Sequence, residues 1–234
     1  MKFKFYIFIL GAGLSACSFG KQTFVNGKSI PLSVEYSNSR SVDSIVSPYK
    51  IELDKEMNQV IAQAEVDFIN QRPNGNLGFL VADILLEKGK EVLPNEKMIC
   101  LINNGGLRAP ISKGNVLLGD VFKLMPFDNQ FLLVKMPAKS IVDIKEYLKK
   151  SGGEPISGFK ILQDSIFDGQ NEIWKMEDFW VVTSDYLLNG GDNMNFFQQK
   201  LEVKNPNLLL RNAILDGFKS RKTLSNIVVT RIKL

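Results

Sequence analysis

The sequence predicts an α+β fold, a mixed α/β architecture in one main domain, from three features. Apolar residues switch repeatedly between helical spacing and short continuous runs along the chain. Turns bearing glycine, proline and asparagine separate those segments. After Ser47 no low-complexity linker or repeat interrupts the alternation, so the elements pack around one core.

The elements follow in order. Lys2 and Lys4 precede an apolar stretch from Phe5 to Gly13, and Leu14-Ser15-Ala16-Cys17 closes it with small residues. This is a secretory leader over 1–16, too short to span a membrane. Its ending resembles the bacterial lipobox, which implies lipidation at Cys17; an ordinary cleaved leader beside an incidental cysteine is the plainer alternative. Residues 17–47 are polar and weakly patterned, a tether with one short strand around Ile30 to Tyr36, and the domain proper occupies 48–234.

From Tyr49 onward, Ile51, Leu53, Met57, Val60 and Ile61 recur at helical spacing. Ala64 to Ile69 reads as a strand, followed by a turn over Gln71 to Gly75. Leu77, Leu80, Val81, Ile84 and Leu85 mark an amphipathic helix ended by Lys88-Gly89. Met98 to Asn103 is a strand, Asp120 to Met125 a short helix, Phe131 to Met136 a strand, and Ile141 to Lys150 a helix closed by Gly152-Gly153. Ser157 to Gln163 and Trp174 to Thr183 read as strands, Asn207 to Phe218 as a helix, and Asn226 to Ile232 as the last strand. Cys100 lies in the apolar run Met98 to Ile102. With Cys17 acylated it has no cysteine partner, and it reads as a small buried hydrophobe.

The 234 residues include 29 Lys and Arg against 25 Asp and Glu, a net charge of +4 with no basic run dense enough to track nucleic acid. The charge serves solubility. Histidine is absent, which removes the usual ligand of hydrolytic metal centres.

Three loops carry the chemistry. Asn103-Asn104-Gly105-Gly106-Leu107-Arg108 turns sharply after a strand and projects a guanidinium fork that suits a phosphate or carboxylate. Its bland reading is a glycine turn with a solvated arginine. Pro126-Phe127-Asp128-Asn129 breaks a helix and presents Phe127 on a loop, with Asn129 able to donate and accept. Phe127, one of 16 phenylalanines, could equally close the core. Asn189-Gly190-Gly191-Asp192-Asn193 holds a carboxylate on a tight turn six residues after Tyr186, whose ring can oppose Phe127. Its bland reading is a hairpin turn with a capping aspartate.

In combination and order, these segments resemble the C-terminal domain of the 5′-nucleotidase and UDP-sugar hydrolase family over about Tyr49 to Val229. The matching segments are Asn104-Gly105-Gly106-Leu107-Arg108, Gly119-Asp120-Val121-Phe122, Pro126-Phe127-Asp128-Asn129, Ser157-Gly158 and Gly190-Gly191-Asp192-Asn193, with the Leu77-Gly78 helix start. Tyr186 stands where the family has phenylalanine, and Asn193 replaces a glycine. Arg72 is the nearby arginine, one position out of register.

The resemblance implies roles. Arg108 binds phosphate or pyrophosphate, Phe127 and Tyr186 clamp the base, Asn129 and Gly158 contact the nucleoside, Asp192 holds the ribose hydroxyls, and Arg72 completes the set. In the family a separate metallophosphatase domain hydrolyses the nucleotide through two metal ions. These residues are therefore expected to be catalytically silent alone and to hold no cofactor. The divalent metals are expected in a separate metallophosphatase chain, with this one lipid-anchored in the bacterial cell envelope, facing the periplasm or the exterior. A membrane-tethered nucleoside or nucleotide scavenger is the alternative, and a remnant that binds no nucleotide is a third possibility.

Overall fold

A computed structural model of the chain describes residues 40–170 and 172–234. The leader, Cys17 and the Ile30 to Tyr36 strand lie outside the described residues. The chain divides into units at Ile45/Val46, and every sheet lies within Val46–Leu234.

Helix α1 (Arg40–Met57) takes in residues 40–47 of the expected tether. Asp43 in its first turn and Lys55 in its last complement the helix dipole, and no residue of the helix is buried. The expected helical spacing does not extend to Val60 and Ile61. These begin strand β1 (Val60–Ala64), because adjacent β-branched residues suit a pleated strand. The strand expected over Ala64 to Ile69 is thus shifted toward the N-terminus, and only Phe68 keeps an isolated bridge, to Ile111.

Helix α2 (Asn76–Val92) runs past Gly89 instead of ending there. A Cβ on Gly89 would meet Val182 Cγ2 at 2.5 Å and Met98 Sδ at 2.6 Å, so this glycine permits close packing of the helix against the sheet. The helix is also buried well beyond one stripe, since it lies against strands on one side and against α6 (Leu210–Arg221) on another.

The remaining elements are β2 (Met98–Leu101), β3 (Gly114–Leu117), α3 (Leu118–Leu124), β4 (Phe131–Met136), α4 (Ser140–Ser151), β5 (Ile156–Ser157), β6 (Phe159–Leu162), β7 (Ser165–Asp168), β8 (Phe179–Ser184), α5 (Asp185–Leu188), β9 (Glu202–Lys204), β10 (Thr223–Leu224) and β11 (Ile232–Lys233). The expected single strand from Ser157 to Gln163 is two strands, β5 and β6. Gly158 between them has φ +83°, and a Cβ there would stand 2.8 Å from the Met98 carbonyl oxygen. The strand expected from Trp174 begins only at Phe179, and the one expected from Asn226 is reduced to Ile232–Lys233.

The central sheet has the order β5-β2-β8-β4-β9 and is mixed, flanked by three-stranded sheets β10-β1-β3 and β11-β6-β7. Strands β2 and β8 are buried along their whole length, which is why both read as continuous apolar runs. Their pairing is parallel, with Cys100 beside Val182, so the loops that follow them leave the same edge of the sheet. Strand β4 is antiparallel to β8, Phe131 beside Ser184, so the loop that precedes β4 reaches that edge too. The topology thereby gathers the three motif loops, at the carboxyl ends of parallel strands where open sheets place ligands.

Candidate functional site

The first loop forms a short 3-10 turn over Asn104–Gly106 directly after β2. A buried carboxylate pins it from beneath: Asn104 donates its backbone N–H to Glu154 Oε2 at 2.7 Å and its side-chain amide to the same oxygen at 3.1 Å. Asn70 Nδ2 donates to the Asn104 carbonyl at 2.8 Å and to that of Leu107 at 3.2 Å. Glu154 is itself paired with Arg72 Nη2 at 2.6 Å, which compensates its burial. Arg108 stands at the exposed end of this loop. Among the described residues its side chain has one hydrogen bond, a 3.3 Å contact from Nη1 to the Gly105 carbonyl, which leaves most of its donor fork available.

The second loop places Phe127 with 42% of its surface exposed and the Arg108 guanidinium 6.0 Å from its ring centroid. The third follows β8. Ser184 caps α5 by accepting from Leu187 N–H. Asp185 Oδ1 accepts from Gln130 N–H at 3.0 Å, which ties the start of α5 to the second loop. Gly190 is left-handed at φ +89°, and Tyr186 packs so tightly on Gly191 that a Cβ there would meet ring carbon Cε1 at 2.5 Å. Asp192 and Asn193 follow at φ +50° and +62°.

Asp192 is the junction of the site. Asn103 Nδ2 donates to its Oδ2 at 2.6 Å and the Tyr186 hydroxyl to its Oδ1 at 2.8 Å, while the Tyr147 hydroxyl donates to its backbone carbonyl at 3.1 Å. Each carboxylate oxygen thus has one donor and keeps acceptor capacity for another. The bond to Asp192 and the negative charge of that carboxylate raise the Tyr186 pKa. Burial, reinforced by Glu154 and Asp192, pushes that of Tyr147 up to about 12.

Arg108, Phe127, Asn129, Tyr186 and Asp192 line one cleft of about 340 Å³ together with Asn103, Gly105 and Gly106. The other two expected site residues stand elsewhere. Arg72 lies behind the first loop on Glu154 and the Gly153 carbonyl. Gly158 opens on a different groove, beside Lys97 and Trp174. Asn103, Glu154, Tyr147 and Arg211 are given no role by the sequence reading. Asn103 belongs to the first motif; the other three carry no local signal because their partners are distant in sequence.

Among the described residues no group of three or more His, Cys, Asp or Glu could hold a metal ion. None of their helices is long and apolar enough to cross a membrane. Cys100 is buried and burial raises its thiol pKa, in keeping with a purely packing role.

Residues 60–157 match the family model of the 5′-nucleotidase C-terminal domain. This segment belongs to that family. The match includes Arg108, Phe127 and Asn129; the third loop, with Tyr186 and Asp192, lies beyond it. A trifunctional nucleotide phosphoesterase protein of Bacillus subtilis is 30% identical over 122 residues, which cover 50% of this chain and 8% of that protein. Human 5′-nucleotidase is 20% identical over 212 residues, covering 75% of this chain and 37% of the human one. Among solved structures, the 5′-nucleotidase precursor of Thermus thermophilus superposes with TM-score 0.71 at 22% identity, covering 82% of this chain and 43% of that one. The NAD nucleotidase of Haemophilus influenzae gives 0.61 at 17% identity, covering 83% and 41%. The chain therefore spans less than half the length of these relatives, and it shares with the two solved structures the fold of a 5′-nucleotidase C-terminal domain.

Proposed function

We propose that this domain is the nucleotide-binding, substrate-specificity half of a 5′-nucleotidase whose hydrolytic metal centre is supplied by a separate metallophosphatase chain. One observation carries the reading: three loops distant in sequence deliver a guanidinium, two exposed aromatic rings and a doubly buttressed carboxylate into a single cleft. That set matches the parts of a nucleotide. Arg108 takes the phosphate in a bidentate, charge-assisted contact. Phe127 and Tyr186 stack on the base, each contact contributing about 1–3 kcal/mol by analogy with nucleic-acid stacking. Asp192 accepts from the ribose hydroxyls through its remaining lone pairs, with Asn129 at the side of the nucleoside.

Binding and orientation are what these residues supply. A two-metal centre on the partner would generate hydroxide and stabilise the in-line displacement. The absence of histidine from the 234 residues supports that division of labour. The leader and Cys17 support a lipid anchor in a bacterial envelope. Mass spectrometry of the protein purified from its own membranes is expected to show an acylated Cys17 at the mature N-terminus. An unmodified thiol there would remove the anchor from the proposal.

The binding claim is tested by calorimetric titration with AMP and with adenosine. Arg108→Ala is expected to weaken AMP about tenfold or more while changing adenosine less than about threefold, since a charge-assisted bond contributes about 1.5–3 kcal/mol. Equal losses on both ligands would show that Arg108 does not read the phosphate. Phosphate release from AMP by this chain alone, with divalent metal added, would contradict the proposed silence.

A further inference from the structure

We infer that Arg211 is a positioning residue for the base: it fixes the loop that presents Phe127, and so governs selectivity for ligands that carry a base over those that do not. The inference rests on the nucleotide-binding reading above and concerns a residue outside the three motifs.

Arg211 sits in the first turn of α6, whose sequence gives no sign of a role in the site. Its guanidinium nevertheless makes four contacts with residues 122–128, which surround Phe127. Nη1 donates to the Met125 carbonyl and to the Phe127 carbonyl, both at 3.3 Å. Nη2 donates to Asp128 Oδ1 at 2.5 Å. The guanidinium carbon stands 4.6 Å from the ring centroid of Phe122, on α3. The side chain is 12% exposed, whereas Asp128 is 77% exposed, so the arginine is the fixed member of the pair. A planar fork can satisfy two carbonyls and a carboxylate while stacking on a ring; a lysine ammonium cannot do all three.

Among the described residues the loop has few other restraints. Its downstream end is held where Leu210 N–H donates to the Asn129 carbonyl at 2.9 Å and Gln130 N–H reaches Asp185. Between Met125 and Asn129, Arg211 is the side chain that grips the main chain on either side of the half-exposed Phe127 ring. A stacking ring gains its full contact only when its plane is preset, since an unfixed loop must be ordered at the moment of binding. Loss of Arg211 therefore falls mainly on the base contact: Arg108 is carried by the first loop, and its own anchor to the neighbouring segment is a main-chain bond to the Leu124 carbonyl at 2.8 Å, upstream of the carbonyls that Arg211 holds.

The experiment has two readouts on Arg211→Met, which keeps the length and removes the donors, and on Arg211→Lys. The first needs no ligand: limited chymotrypsin digestion, following by mass the fragment ending at Phe127. Cleavage there is expected to rise at least fivefold in Arg211→Met, with partial recovery in Arg211→Lys, while cleavage at other sites stays within twofold. The second is calorimetric affinity for AMP and for ribose 5-phosphate. AMP is expected to weaken about tenfold and ribose 5-phosphate less than twofold. Unchanged cleavage at Phe127, or equal losses on both ligands, overturns the inference. A wild-type protein that binds neither ligand but shows the predicted cleavage would refute the nucleotide-binding reading while leaving the loop-fixing role standing.

Discussion

At the scale of single residues, the cleft depends on side chains that hold other side chains. Asp192 is the clearest case: a carboxylate on a left-handed turn, with one donor on each oxygen and a third on its own carbonyl. Removing a donor frees the carboxylate to rotate, so Asn103→Ala is expected to weaken nucleoside binding about three- to tenfold, the equivalent of about one hydrogen bond. Calorimetry with adenosine checks this, and an unchanged affinity would show that Asn103 does not orient Asp192. Tyr147 supplies a pH signature. Its folded pKa of about 12 lies above the ordinary tyrosine value, so the native state holds the proton more tightly than the unfolded chain. Its contribution is fully present below about pH 10, and is lost as the pH rises through about 12. Denaturant midpoints are therefore expected to fall less steeply over that window in Tyr147→Phe than in wild type; parallel curves would contradict the assignment.

At the scale of elements, close approach decides what propensity cannot. Gly89 lies inside α2 against Val182 and Met98. Gly89→Ala gains about 1 kcal/mol of intrinsic helix propensity, yet overpacking typically costs about 1–3 kcal/mol, and Val182 in the central strand has no room to yield. A net loss of up to about 2 kcal/mol is expected in urea denaturation; a gain would show that the interface relaxes. The same residue shows where sequence reading stops. A glycine after a run of helical periodicity has the pattern of a stop signal, and only the neighbouring strand reveals it as a packing device. Segments with strong local patterns were legible, with Phe131 to Met136 matching β4 throughout and Ile141 to Lys150 falling within α4. The two-residue strands β5, β10 and β11 were not, since pairing partners from elsewhere in the chain define them. Gly158 stood in a matching segment and Arg72 one position out of register, but a bend at φ +83° and a buried glutamate give them structural tasks away from the cleft.

At the scale of the whole molecule, one topological fact makes the site. Parallel β2 and β8, with β4 antiparallel beside β8, send three loops to one edge of a mixed sheet. The motifs were legible as loops; their convergence needed the strand order. The proposed separation of binding from hydrolysis belongs to this scale as well, because it concerns which chemistry these residues supply. The claim on which the rest depends is that the cleft binds a nucleotide through both its base and its phosphate. Calorimetric titration of the purified protein with AMP tests it most directly. The predicted result is saturable binding at one site per chain, weakened tenfold or more by Phe127→Ala and by Arg108→Ala separately. A folded protein that gives no binding heat, or an affinity indifferent to both substitutions, would contradict it.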